Sequence, residues 1–179
     1  LSLSTTSQLH TSKAPTLCYN YKMTVSNSDT YDYDVVGMKA AIDQAVAATA
    51  AGKMPFGAVL VDARGVIVAQ AHNQILAANK RGGGSGADAT RHAEMELVRQ
   101  FPASMLAADR IKCTLYTSTE PCVMCAGAIY WSGVGRVAYG CSAAQLAVYS
   151  GPGGFDIPVE QLYSMAAPGT RHIQVKGPY

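Results

Sequence analysis

Charge is scarce in this chain. Lys, Arg, Asp and Glu make up 15% of its 179 residues, against about 25% in an ordinary soluble protein. Hydrophobic residues reach 49%, which is ample for a buried core and excludes disorder along most of the length. Long apolar runs are absent too. No stretch attains the roughly 18 uninterrupted apolar residues of a membrane span; the Ala-rich run over residues 35–51 is broken by Lys39 and Asp43. A soluble protein with no membrane partner is expected. Acids are missing from residues 1–28, which carry only Lys13 and Lys22, and from Asp29 onward the chain holds twelve basic and twelve acidic side chains. Without a stripe of Lys and Arg to neutralise phosphates, the partner expected is a small molecule rather than a polynucleotide. A disulfide framework is lacking as well. The cysteine count is odd, at five, and three of them stand outside any metal-like spacing, which points to a reducing, cytoplasmic compartment.

At 179 residues and 18.8 kDa, the chain has single-domain length. Residues 1–30 are rich in Ser and Thr and show no apolar periodicity, so they read as a flexible tail, with a cleavable organelle address as the alternative. Residues 31–179 read as one domain. Apolar residues at Val35, Met38, Ile42, Ala45, Val46 and Thr49 keep the three-and-four spacing of a helix face, and Gly52 closes that helix. Residues 56–61 and 66–72, joined by Ala63-Arg64-Gly65, form a hairpin whose first strand is apolar enough to lie inside a sheet. The Gly-rich stretch around residues 82–86 reads as a surface loop; a phosphate cradle would want a strand directly before it and a Gly-Lys-Ser/Thr after it. Beyond it the chain reads as helix 92–101, strand 111–117, helix 121–132, strand 136–140, short helices at 142–149 and 159–165, and a last strand at 171–175. Helices between the last three strands imply right-handed crossovers and parallel pairing. The expected fold is a helix-covered α/β sheet with an antiparallel hairpin at its start.

The chemistry concentrates in two short motifs, His92-Ala93-Glu94 and Pro121-Cys122-Val123-Met124-Cys125. One imidazole and two thiolates suit zinc, and three protein ligands leave the fourth tetrahedral position to water, as a catalytic site requires. Cys122 and Cys125 are three apart at the start of a helix, so they face one way, where the positive helix end favours thiolates. Glu94 lies about 200° round an ideal helix from His92, so the two meet at one centre only if both reach past the helix end. A carboxylate beside a metal-activated water is the natural proton shuttle, a general base and later an acid. A Cys-x-x-Cys by itself is more often a redox pair or half of a structural zinc site. Here both halves occur in order, each at the start of a predicted helix. Cys113, Cys141, His72 and His172 read as packing or surface residues.

These motifs resemble the signature of zinc-dependent nucleobase deaminases. Pro55-Phe56-Gly57-Ala58, Asn73, the run from Leu115 through Cys125 to Ala128, and Gly135-Arg136-Val137 extend the resemblance to the cytidine deaminase superfamily, in its guanine deaminase and tRNA adenosine deaminase branch. The resemblance implies a three-layer α/β/α sandwich around a five-stranded mixed sheet, usually a homodimer, in which zinc-activated hydroxide replaces an exocyclic amine with oxygen and releases ammonia. It implies His92, Cys122 and Cys125 as zinc ligands, Glu94 as the proton shuttle, and Asn73 as the amide that reads the polar edge of the ring. Phe56 would line the base pocket, and the backbone at Ala93 and Ser118 would hold the water and the leaving amine. Trp131 would stack on a purine or else sit in the core. Asp156, in Gly154-Phe155-Asp156, would offer a carboxylate to the substrate amine or else serve a turn.

Where the family usually has Asp-Pro-Thr-Ala before His-Ala-Glu, this chain has Asp88-Ala89-Thr90-Arg91. The tRNA-acting relatives carry a basic C-terminal stretch, whereas only Arg171 and Lys176 follow Arg136 here. The expected substrate is therefore a free purine base or nucleoside, guanine-type first. A tRNA adenosine or cytosine-type deaminase is the alternative, and a non-catalytic metal scaffold comes last, because a scaffold has no need of Glu94.

Overall fold

The computed structural model describes residues 33–77, 88–151 and 153–179; the expected tail over 1–30 and the Gly-rich loop 82–86 lie outside them. In chain order the elements are α1 (Tyr33–Ala50), β1 (Gly57–Val61), β2 (Ile67–His72), α2 (Ala93–Arg99), α3 (Ala107–Arg110), β3 (Thr114–Thr119), α4 (Val123–Ser132), β4 (Arg136–Cys141), α5 (Ala143–Ser150), α6 (Val159–Ser164) and β5 (Gln174–Lys176). The strands form one mixed sheet in the order β2-β1-β3-β4-β5. Strand β1 runs antiparallel to β2 and β3, while β3–β4 and β4–β5 are parallel. Both the expected hairpin and the expected parallel half are present.

Side-chain alternation splits the core between the two sheet faces. Ala58, Leu60, Leu115 and Val137 point to one side, where Ala93 and Leu97 of α2, Ala126 and Ile129 of α4, and Val159 and Tyr163 of α6 cover them. Val59, Val61, Tyr116 and Ala138 point to the other, against Met38 and Ala41 of α1. The result is three layers, with every residue of β1 buried, as its continuous apolar run requires.

Two expectations about α1 and β3 need correction. Of the expected stripe of α1, Met38 is buried and Ile42 packs partly buried beside it, but Gly37, Ala41 and Ala48 join them, whereas Val46 is 47% exposed and Thr49 is exposed. Close approach is the cause. A Cβ on Gly37 would come within 2.5 Å of the Tyr116 ring, and one on Gly57 within 2.3 Å of Ala41 O, so the helix and sheet backbones lie close together at Gly37 and Ala41. The residues expected to begin the third strand at Ile111 instead end the short helix α3. Ile111 is 50% exposed, and pairing starts only at Thr114. Helix α4 stops where expected, at Gly133, whose φ of 94° is readily adopted only without a side chain.

Candidate metal and catalytic site

Helices α2 and α4 begin side by side, and the candidate ligands sit at those beginnings. His92 is the N-cap of α2 and Cys122 that of α4; both have extended backbone, with ψ of 157° and 168°. A cap residue in this conformation projects its side chain beyond the first turn, so two unrelated chain segments can aim at one point. His92 Nδ1 lies 3.7 Å from Cys122 Sγ and 3.5 Å from Cys125 Sγ, and the three ligand atoms lie within 4.8 Å of one another. Zinc bonds of about 2.05 Å to nitrogen and 2.3 Å to sulfur with tetrahedral angles give an N···S edge of about 3.6 Å, so this set fits the ion. Cys125 is buried while Cys122 is exposed, leaving the cluster open on one side.

The electrostatics suit metal binding. Hydrogen bonding from Cys125 pulls the Cys122 thiol down to about 4, helped by His92, while the same bond, burial and the Glu94 carboxylate push Cys125 up. The Cys122 thiolate in turn raises His92. A bound cation would hold both sulfurs as thiolates. Glu94 stands in the first turn of α2, 4% exposed, and is not among the grouped ligand atoms. Its Oε1 accepts from Thr117 Oγ1 at 2.8 Å, and burial pushes its carboxyl above the ordinary carboxylate range.

Other expected site residues gather along the adjoining edge. Asn73 N–H donates to Phe56 O at 2.9 Å, and Gln74 N–H to Arg91 O at 3.0 Å, which ties the end of β2 to the start of β1 and to the residue before His92. Asn73 is buried; its Oδ1 accepts from Ile75 N–H at 2.7 Å. Ser118 Oγ accepts from Gly57 N–H at 3.1 Å, and Ala93 is buried as the first residue of α2. Phe56 is half-buried against the core on the α2 side.

Trp131 is neither a core residue nor part of this cluster. It is 82% exposed near the C-terminal end of α4, about 13 Å along the helix from Cys122 at 1.5 Å per residue, and touches the Tyr130 ring edge-on at 5.5 Å. Asp156 is exposed, in the stretch leading to Val159, whose N–H is bonded to Glu120.

Three functional contacts have no motif to announce them. Thr117 faces Glu94 only because β3 turns that side inward. Glu120 bonds the backbone at the starts of α5 and α6. Arg91 donates to Glu96 through Nε at 3.2 Å and Nη2 at 2.8 Å. The pair occupies the positions one before and four after the cap, where apolar residues commonly bracket a helix start. An ion pair thus replaces that bracket and steers the chain into His92. Arg91 is 46% exposed, so its energetic contribution is about 0–1 kcal/mol.

Three side chains able to hold a metal, beside a buried acid outside that group, make a candidate metal site of the kind that leaves a fourth position to water. The zinc-binding region of cytidine and deoxycytidylate deaminases matches residues 33–141, and the chain belongs to that family. It is a zinc-dependent hydrolytic deaminase. A probable cytosine deaminase from Schizosaccharomyces pombe is 33% identical over 157 residues, 87% of this chain and 90% of that protein. A tRNA-specific adenosine deaminase from Haemophilus influenzae is 34% identical over 111 residues, 62% of this chain and 60% of that protein. Among solved structures, guanine deaminase from Nitrosomonas europaea matches with a TM-score of 0.56 at 27% identity, covering 78% of this chain and 74% of that one.

Proposed function

We propose that the chain hydrolyses the exocyclic amine of a free purine base or nucleoside, guanine-type rings first, yielding the ring carbonyl and ammonia. The observation that carries this reading is the buried Glu94 carboxylate, next to the His92, Cys122 and Cys125 cluster yet outside it. When bound there, zinc supplies the Lewis acidity that makes water a nucleophile near neutral pH. Thr117 holds Glu94 at Oε1, and the carboxylate takes the proton from the attacking water and delivers it to the leaving amine nitrogen. A carboxyl whose protonated form is favoured by burial suits the second half of that transfer. Asn73 has its Oδ1 engaged by Ile75 and makes no side-chain donation among the described residues, so its NH₂ is the end offered to an acceptor on the ring.

A purine is favoured over tRNA by charge. Of the three cations between Arg136 and Tyr179, Arg136 and Lys176 both bind Asp34, and Arg171 lies over the Tyr130 ring at 4.8 Å, so each is already engaged within the domain rather than grouped for phosphates. Cytosine is the second reading, favoured by the near full-length match to the S. pombe relative. Ammonia release from guanine, guanosine, cytosine and tRNA separates these readings. Turnover of guanine or guanosine supports the first, cytosine alone selects the second, and tRNA alone overturns both.

A further inference from the structure

Glu120 is outside the candidate ligand group, yet its carboxylate holds two helices at once. Its Oε2 accepts from Ala143 N–H at 2.9 Å and its Oε1 from Val159 N–H at 2.8 Å. Ala143 opens α5 and Val159 opens α6, and an opening N–H has no partner inside its own helix. The main chain of Glu120 is anchored as well, its N–H donating to Cys141 O at 2.7 Å. Two residues later comes Cys122. Charge-assisted bonds of this type are roughly twice as strong as neutral ones, and both oxygens are engaged. One side chain therefore ties the approach to the metal ligands to the starts of α5 and α6, and through the latter to the C-terminal end of the chain between them.

The end of that chain is tied to the site and its outer part is not. Val159 is buried, and Tyr163 Oη of α6 donates to Ala126 O of α4 at 3.1 Å, which brings α6 against the helix that carries Cys125. Residues 153–156 just before it are exposed, with Phe155 at 75%. Asp156 is three residues from Val159, so its Cα stays within about 11 Å of that anchor. Residues 153–158 thus lead directly into the Glu120–Val159 bond, two residues before Cys122.

We propose that Glu120 is a positioning residue for substrate affinity, aiming residues 153–158 at the mouth of the metal site by fixing the start of α6. The affinity half of this proposal rests on the deaminase reading above; the positional half does not. Glu120→Gln keeps the size and accepts one N–H but turns an NH₂ toward the other, and Glu120→Ala removes both bonds. With guanine and cytosine as probes, KM rises about tenfold in Glu120→Gln, as loss of roughly 1.4 kcal/mol of binding gives, and further in Glu120→Ala, while kcat and zinc content stay at the wild-type level. Chymotrypsin cuts after Phe155 faster in Glu120→Gln than in wild type. Combined with Asp156→Ala, the KM effects are less than additive, because both act through one segment. Unchanged KM, unchanged cleavage after Phe155, or loss of zinc in Glu120→Gln overturns the proposal. If wild type releases ammonia from neither base, the substrate reading falls, and the cleavage rate still decides whether Glu120 holds the segment.

Discussion

Asp34 and Glu94 are both acids set against the sheet, one on each face, and the protein treats them in opposite ways. Asp34 in the first turn of α1 accepts from Tyr116 Oη at 2.5 Å, Lys176 Nζ at 2.6 Å and the Arg136 guanidinium. Burial pushes its carboxyl up, but those donors together hold it well below the carboxylate range. Glu94 meets only uncharged side-chain donors among the described residues, the Thr117 hydroxyl and the Cys125 thiol, and burial carries its carboxyl the other way. Their donors are neighbours, since Tyr116 and Thr117 are successive residues of β3 pointing to opposite faces. A compensated charge stays an anion and ties elements together; an under-compensated one can change protonation during a reaction. The α1 face is built to hold and the α2 face to react.

The strongest way to break this contrast is Glu94→Gln. We expect kcat to fall about 10²- to 10⁴-fold, the usual contribution of a positioned acid–base group, with zinc still stoichiometric by elemental analysis; retained turnover removes Glu94 from the mechanism. Asp34→Asn is the counterpart on the other face. It lowers stability by about 1.5–3 kcal/mol, the usual contribution of hydrogen bonds to charged groups, and leaves turnover unchanged. Because the folded carboxyl is held low, its stabilising contribution is complete above the ordinary Asp value of about 3.9 and disappears as pH falls toward the folded value. Urea midpoints of wild type and Asp34→Asn therefore converge below that pH; a gap that stays constant down to acid pH sinks the account of Asp34.

Gly37→Ala tests the close approach on the α1 face. Its Cβ would meet the Tyr116 ring at 2.5 Å, so a loss of about 1–3 kcal/mol is expected in denaturant unfolding, as for other overpacked sites. Thr117→Val removes the donor to Glu94 with little change of shape. It should lower kcat roughly fivefold, equivalent to the ~1 kcal/mol of one hydrogen bond, without loss of zinc; an equal loss of zinc would mean that Thr117 supports the ligands rather than the acid. The smallest effect belongs to Trp131→Ala, expected within about ±0.5 kcal/mol in stability because the ring is exposed.

Much of the fold was legible because its signals are local. The hairpin, the run of β1 and the Gly133 stop each rest on a few adjacent residues. The apolar pattern of α1 named Met38 and Ile42 but missed Gly37, Ala41 and Ala48, because it reports which side chains are greasy, whereas the close approach at Gly37 and Gly57 decides where small ones are needed. Helix α3 spans four residues, too few for any period to register. In the site, His92, Glu94, Cys122 and Cys125 could be named from spacing because they stand at helix starts. Thr117, Glu120 and the Arg91–Glu96 bracket could not, since each works through a partner set by chain reversal or sheet register. Trp131 belonged to a motif-like run, yet helix length carried it to the far end of α4.

The order of residues by itself determined the ligand types, their grouping at two helix caps and the acid two places after His92, because cap geometry and helical period are properties of short segments. Only the tertiary structure decided that the two caps meet with N···S edges of 3.5 and 3.7 Å, that Tyr116 serves one acid and Thr117 the other, and that Glu120 joins three elements. Those outcomes depend on how five strands are ordered and how closely α1 lies against them, which many distant contacts set together.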